Sequence, residues 1–498
     1  MTQIVADLQL HSKYSRAVSK DMVVPVMARW GKKKGIDLLA TGDWMHTLWL
    51  RELQSQLIEV SEGIFELKDS ILDGKIDNTK TQKGTENAEE KTKFLLSAEI
   101  SSIYSEGGKG RRVHTLVFVP SFAAAEKINE KLLARGCNLL SDGRPIVGLS
   151  CKEIAEIVFS VEERALVIPA HAWTPWFALY GSKSGFDSVE ECFGDLSKRI
   201  YAIETGLSSD PGMNWKVADL KRRAIVSFSD AHSPVKLGRE ATVFVFKDEI
   251  LRQSGASHSA RSAQDDSLAL KSLASESNET GQRKFTYDDI YGAITERFTG
   301  KNEGKLKIGY TIEFYPEEGK YHWTGHRACH VKQSPEETRK LGTTCPVCGR
   351  GLTVGVEHRV EQLTNDQLIG LNSEKKTNKN GVVFNYHPKD STRPPYVMLV
   401  PLYEILAEVF EVGVASKQVV GAYENLLERF GSEFEVLLRT PIEKIAGTFG
   451  KRLAEAIKKV REQDIAVEPG YDGEFGKVAI WPVEAKASEG EGKQMGLF

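Results

Sequence analysis

Short apolar runs alternate with longer amphipathic stretches through the first half of the chain. IVADLQL, GIDLLATGD, KFLLSAEI, HTLVFV, ALVIPAH, RIYAIETG and AIVSFSDAH are each as long as a strand and end in polar or charged residues. Between them, SCKEIAEIVFSVEE carries apolar residues at helical spacing. This alternation over residues 1–252 predicts an α/β domain with parallel strands, in which functional groups gather at the carboxyl ends of the strands. Two stretches break the pattern: residues 70–92 are polar, and residues 253–284 are Ser/Ala-rich and low in complexity. Neither carries enough apolar surface to order itself, so they read as an insertion and a linker. Residues 285–299 are expected to return to the core. Further on, PLYEILAEVF, SKQVVGAYENLLERFG and KRLAEAIKKVREQ show a 3.6-residue apolar period. The expected order is therefore completed by a small cysteine-containing module over 300–365, a helical domain over 366–480 and a flexible tail over 481–498.

Composition narrows the class. The 498 residues fit about three domains on a soft prior of roughly 150 residues each. With 41% hydrophobic and 27% charged residues, there is ample material for buried cores. The formal net charge of −3 excludes a global basic field, so contact with nucleic acid has to come from local patches. No apolar run reaches the ~20 residues that span a bilayer. The first residues, MTQIVADLQLHSKYS, carry no signal-peptide core. A cytoplasmic monomer with no membrane partner is expected. Six cysteines do not suggest a disulfide framework in such a chain; Cys137, Cys151 and Cys192 are scattered, whereas Cys329, Cys345 and Cys348 cluster.

Five histidines precede residue 250, and each borders an apolar run: His11, His46, His114, His171 and His232. Asp43, Glu99, Glu204 and Asp230 lie in or beside the same runs. Imidazole and carboxylate together suit zinc, manganese or iron. A site with several such ions activates water and clamps both oxygens of a phosphoryl displacement.

In order, DLQLHSKYS, TGDWMH, SAEIS, HTLVFV, IPAHAWTPWF and SDAHS resemble the motif series of a PHP domain. That resemblance implies a distorted β/α barrel, up to three bound metal ions and hydrolysis of phosphate esters. Motif by motif, it implies the metal ligands His11, His46, Glu99, His114, His171, Asp230 and His232, with zinc and either magnesium or manganese as ions. Asp230 is the first candidate for a catalytic role, bridging a metal and taking a proton from the attacking water. Asp43 is the second, with orientation of a ligand as its other possible role. The family pattern opens on H-x-H, where this chain has Gln9-Leu10-His11, and a further ligand is missing from SKYSRAVS. Two firmly held ions are expected rather than three.

Two knuckles, His326-Arg-Ala-Cys329 and Cys345-Pro-Val-Cys348, are separated by fifteen residues and have the spacing of a zinc ribbon. His326 is the expected fourth ligand beside the three cysteines, with His322 and His330 as competitors. From Lys320 to Val360 the module carries seven Lys/Arg against three Glu, with Tyr321 and Trp323 nearby. A basic module with aromatics can contact phosphates and stack on a base.

GHRACHVKQSPEETRK, CPVCGRGLTVGVEHRVEQL and RPPYVMLVPL, joined to the PHP motifs, closely resemble the endonuclease Q family. The likeness runs from the N-terminus to about YDGEFGKVAI, apart from the two polar stretches. It implies incision of a DNA strand 5′ to a deaminated base (uracil, hypoxanthine or xanthine) or at an abasic site. PIEKIAGTFGKRLAEAI is similar to a helix-hairpin-helix, with Gly447 and Gly450 bracketing the turn and Lys451 and Arg452 adding charge for a DNA phosphate. The terminal QMGLF resembles a sliding-clamp-binding peptide anchored by Gln494, Leu497 and Phe498. Trp173, Trp176, Phe177 and Tyr180 are candidates for the wall of a pocket for a flipped base, and Lys13, Tyr14 and Arg16 for holding the scissile phosphate. The competing readings are a PHP phosphatase for small phosphate monoesters and a DNA-bound scaffold with a decayed site. The first gives no role to the later modules. The second is motivated by Gln9 alone.

Overall fold

The computed structural model describes residues 3–72, 91–248, 283–365, 368 and 370–482. Residues 73–90 of the insertion expected over 70–92, nearly all of the expected linker, and the tail residues Gln494, Leu497 and Phe498 lie outside the described residues.

The architecture is mixed α/β, with one large sheet and a helical region at the C-terminal end. The strands of the first half are β1 (Gln3–Asp7), β2 (Leu38–Ala40), β3 (Leu57–Ser61), β4 (Ile64–Leu67), β5 (Lys93–Glu106), β6 (Lys109–Val119), β7 (Ile146–Val147), β8 (Leu166–Pro169), β9 (Ala202–Glu204), β10 (Ala224–Val226) and β11 (Ala241–Phe246). The second half adds β12 (Leu306–Glu313), β13 (Thr324–His326), β14 (Val331–Gln333), β15 (Glu374–Thr377), β16 (Val383–Tyr386) and β17 (Tyr396–Met398). The main sheet runs β15-β16-β17-β12-β11-β1-β2-β5-β4-β3, with β6 and β7 joined to β5 and β8 joined to β6. The strands β9 and β10 pair separately.

The expectation of parallel strands holds for β1, β2 and β5 and for β9 with β10. It fails for β6, which runs antiparallel to β5, and for β8 and β11. The reason is local. Only Gly107 and Gly108 separate β5 from β6, both at positive φ (57° and 75°), and a two-residue connection can join only antiparallel strands. The hairpin β3–β4 belongs to none of the expected strands.

The helix expected from SCKEIAEIVFSVEE is present, and the return to the core after residue 285 is also a helix. Cys151–Phe159 starts with a reciprocal capping box between Ser150 and Glu153 and buries Ile154, Ala155 and Val158. Tyr287–Thr299 has a similar box between Thr286 and Asp289. Its Tyr287 is buried, and the hydroxyl donates to the carbonyls of Phe118 and Arg164.

The later boundaries differ from expectation. The strand β12 lies in the main sheet between β11 and β17 rather than with the cysteine module. The stretch 366–480 contributes β15, β16 and β17 before its helices begin at Leu402. Short, wholly buried runs such as YVM carry no period that separates strand from helix. Five helices follow between Leu402 and Glu462. They dock on the first half through a buried ion pair, Lys34 Nζ to Glu433 Oε2 at 2.7 Å, and Tyr423 donates to the same carboxylate at 2.9 Å. Breaking either partner would leave a buried charge uncompensated, so the pair fixes how the helices sit. Among the described residues, no helix is long and apolar enough to cross a membrane.

Candidate active site

Glu99 and His114 stand mid-strand on the paired β5 and β6, and the segments that follow β1, β8 and β10 bring His11, His171, Asp230 and His232 to the same place. His11, Asp230 and His232 place one ligand atom each within 4.8 Å of one another, and so do Glu99, His114 and His171. Glu99 joins the two groups. Its Oε2 lies 2.9 Å from His11 Nε2, while its Oε1 lies 2.7 Å from His114 Nδ1 and 3.2 Å from His171 Nε2. Asp230 Oδ1 is 3.2 Å from His11 Nε2. Among the described residues, neither His11 Nε2 nor Asp230 Oδ1 has a partner in hydrogen-bond geometry, although both are buried. In the second group His171 Nε2 also lies within hydrogen-bond geometry of Glu99 Oε1 and His114 Nδ1, so both groups gather donor atoms as closely as converging ligands require. The donor set fits divalent cations, with Glu99 offering one oxygen to each group.

The surroundings orient these atoms and set their charge. Asp43 accepts from Ser12 N, Ser12 Oγ and Ser15 Oγ, and its Oδ1 lies 3.0 Å from His11 Nδ1. This leaves Nε2 to face the centre. Burial alone would lower the His11 pKa; the carboxylates of Asp43, Asp230 and Glu99 outweigh it and raise it well above the ordinary value. Burial likewise opposes ionisation of Asp230, yet His11 and His232 hold its carboxyl below the usual range. Burial pushes His114 down to about 4, which keeps the imidazole neutral. Beneath the centre, Asp7 accepts from Ser229 N, Ser229 Oγ and Gly238 N, pinning the loop that carries Asp230.

Several expected residues sit elsewhere. His46 shares neither group: it stacks on Tyr14 at 4.3 Å, with Nε2 3.3 Å from the Leu140 carbonyl. Asp43 is in neither ligand group; its carboxylate is taken up by Ser12, Ser15 and His11 Nδ1, the placement of a residue that orients His11. Gln9 is buried, and with its amide turned to donate it reaches Glu204 Oε2 at 2.6 Å. Glu204 accepts from His171 N and belongs to neither ligand group; burial raises its pKa well above normal. Lys13 and Tyr14 both engage Glu52, and Arg16 pairs with Asp142. Trp173 and Tyr180 are fully buried and stack at 4.6 Å, so they are core and not pocket wall. Trp176 and Phe177 are half-buried, Trp176 against Tyr321 and Phe177 against His114.

Arg144 was missed by sequence reasoning. Its Nη1 lies 3.1 Å from Glu99 Oε2, with its side chain 27% exposed. It follows Gly143, where a Cβ would collide with the Asp43 and Ser15 side chains, so the loop packs directly on the Asp43 network. The signal was an Asp-Gly-Arg turn in an otherwise unassigned loop.

A second cluster lies on the β13–β14 module. His326, Cys329, Cys345 and Cys348 meet the same 4.8 Å criterion, with Cys348 Sγ 3.4 Å from His326 Nδ1. The competing histidines do not join it: His322 faces Glu357 at 3.5 Å, and His330 lies outside the group in the left-handed region. Four donors at one point suit tetrahedral coordination. Although burial opposes it, hydrogen bonds from the Cys348 and Val347 backbone and the His326 side chain bring the Cys345 thiol down to about 6.

Comparison with known proteins decides the family. The lesion-specific endonuclease Q of Pyrococcus furiosus matches with 30% identity and a TM-score of 0.70, covering 98% of this chain and 97% of that one. The chain belongs to the endonuclease Q family. A crystal structure of endonuclease Q in complex with a 27-mer duplex substrate, with an abasic lesion at its active site, matches at 29% identity and a TM-score of 0.71, covering 97% of this chain and 99% of that one. The Bacillus subtilis protein YqxK is 28% identical over 96% of this chain and its own full length. MJ0043 of Methanocaldococcus jannaschii is 29% identical over 63% of this chain, which spans only 32% of that protein. Residues 401–464 match the family model of the MJ0043 C-terminal domain. The match to endonuclease Q thus extends across the Glu99 centre, the His326–Cys348 cluster and the terminal helices.

Within those helices, Gly447 lies inside Ile442–Phe449 and not at the turn. The turn is made by Gly450, at φ 93°, directly before Lys451–Glu462. Lys451 is exposed there, while Arg452 pairs with Glu411 at 2.7 Å and lies over Trp481.

Proposed function

We propose that the chain is a metal-dependent DNA-repair endonuclease that hydrolyses a phosphodiester 5′ to a deaminated base (uracil, hypoxanthine or xanthine) or an abasic site. The observation that carries this reading is the likeness to a lesion-specific endonuclease over 98% of the chain, with two histidine–carboxylate groups joined at Glu99. Two ions in a PHP-type barrel, zinc with magnesium or manganese, would activate water and neutralise charge on the phosphate. His11, Asp230 and His232 would hold one, and His114 and His171 the other, with Glu99 between them. Asp230 keeps Oδ1 ionised to accept a proton from the attacking water. Arg144, part-exposed on Glu99, is placed to meet a non-bridging phosphate oxygen. Asp43 orients the His11 ring through Nδ1.

The His326–Cys329–Cys345–Cys348 cluster would hold a structural zinc ion that presents the basic module to the duplex. Gly450 and Lys451 offer backbone N–H groups and a charge to a phosphate at a helix start. The terminal Gln494, Leu497 and Phe498 would tether the enzyme to a sliding clamp. Mapping the cut in end-labelled duplexes with one uracil, hypoxanthine or abasic site, with Mn²⁺ or Mg²⁺, tests the reading. A single cut 5′ to the lesion is expected. Failure to cut any lesion, alongside turnover of a small phosphate monoester, would overturn it.

A further inference from the structure

Away from the metal centre, a cavity of about 790 Å³ opens between the helix Tyr287–Thr299, the segment leading into β10, β12 and residues 391–395. It lies at the other end of the strands. Lys221, Arg222 and Arg223 precede β10, whereas Asp230 follows it; Lys307 stands near the start of β12, and Arg393 shortly before β17. With Arg297, six basic side chains line the cavity against one carboxylate, Glu296. The chain as a whole has a net charge of −3, so this concentration is not a consequence of composition.

Two of the guanidinium groups belong to arginines more than nine-tenths buried: Arg223 at 7% exposed and Arg393 at 5%. Neither is neutralised by a close ion pair. Arg393 donates to the carbonyls of Leu220 and Lys221 and stands 3.8 Å from Asp390, which is already paired with Arg297 at 2.6 Å. Arg223 donates to the carbonyls of Asp219 and Ser197, stands 3.7 Å from the Asp219 carboxylate, and leaves Nε without a partner among the described residues. Burial, reinforced by Arg297, lowers Arg393 to about 10. No carboxylate lies within ion-pair distance of Lys221, Arg222 or Lys307 among the described residues. Asp390, Asp219 and Glu296 offset only part of this charge, and holding the remaining cations together costs free energy that an anionic ligand would recover. Arginine forks match phosphoryl oxygens in pairs, and the volume is that of a small-molecule site.

We infer that this cavity is a second, non-catalytic site for a phosphorylated ligand of nucleotide size. The phosphoryl group comes either from a free nucleotide or from a DNA strand. The inference does not depend on where the metal centre cuts.

The test is equilibrium binding of ATP, AMP and a short undamaged single-stranded oligonucleotide to the metal-loaded full chain, beside the double variant Arg222→Glu/Lys307→Glu. Both positions are at least partly exposed, so the variant should fold, with circular dichroism as the check. Loss of two charged contacts should weaken ATP binding by about 10-fold or more, while incision of a lesion-bearing duplex stays unchanged. Restored binding in Arg222→Lys/Lys307→Arg would show that charge is what counts. If only the oligonucleotide loses affinity, the phosphate comes from DNA and the site stands. Equal binding of all three probes to wild type and the charge-reversed variant would overturn it, as would binding of none of them to the wild type.

Discussion

Among the described residues, two clusters of side chains could hold metal ions, and they are built in opposite ways. The Glu99 centre draws its six groups from positions spread between His11 and His232, buries most of them and backs them with Asp43, Ser12, Ser15 and Asp7. The cluster at His326–Cys348 takes all four ligands from 23 residues of chain, sits near the surface, and has Cys348 exposed. The first is a pooled site that exists only once distant segments of the chain converge. The second is a local site that closes on itself. The difference separates roles: a centre with mixed ligands, a shared carboxylate and an open side at Arg144 suits chemistry, and a closed set of three thiolates and an imidazole suits structure.

Removing Asp230 tests this contrast most severely. Asp230→Asn should cost about 10³-fold in single-turnover incision with duplex binding kept, the scale of losing a positioned proton acceptor. Asp43→Asn should follow, with a loss of about 10–100-fold that appears first as weaker metal affinity, since only the orientation of His11 suffers. Cys348→Ser should behave differently: mass spectrometry of the native protein should count one ion fewer, duplex binding should weaken, and the rate constant for bound substrate should change by less than about 10-fold. A Cys348→Ser enzyme that binds duplex normally but cannot cut would erase the contrast. His46→Ala should have the smallest effect, with unchanged ion count and near-normal incision, because His46 stacks on Tyr14 outside both groups.

Much of this was legible in the chain, unevenly. The local cluster was readable from spacing, and the geometry then separated His326 from His322 and His330. The pooled site was readable because its residues border apolar runs, but spacing could not tell a ligand from its support; Asp43 and His46, three residues apart, both sit away from the centre. Gly107-Gly108 signalled an antiparallel hairpin, a signal outweighed by the β/α rhythm around it. Trp173 and Tyr180 looked like recognition aromatics because sequence does not show which faces are buried. Arg144 and the basic cavity stayed hidden for a related reason: Arg144 meets Glu99, 45 residues away, and the cavity gathers side chains from Lys221 to Arg393.

The central claim is that Glu99 links two ion-binding groups into one cutting centre. Glu99→Gln, assayed together for bound metal per chain and for single-turnover incision of a duplex with one abasic site, tests it most directly. The account predicts that incision collapses by about 10³-fold while the ion of the His326–Cys348 cluster remains bound. Incision within twofold of wild type, with the full complement of ions, would contradict it.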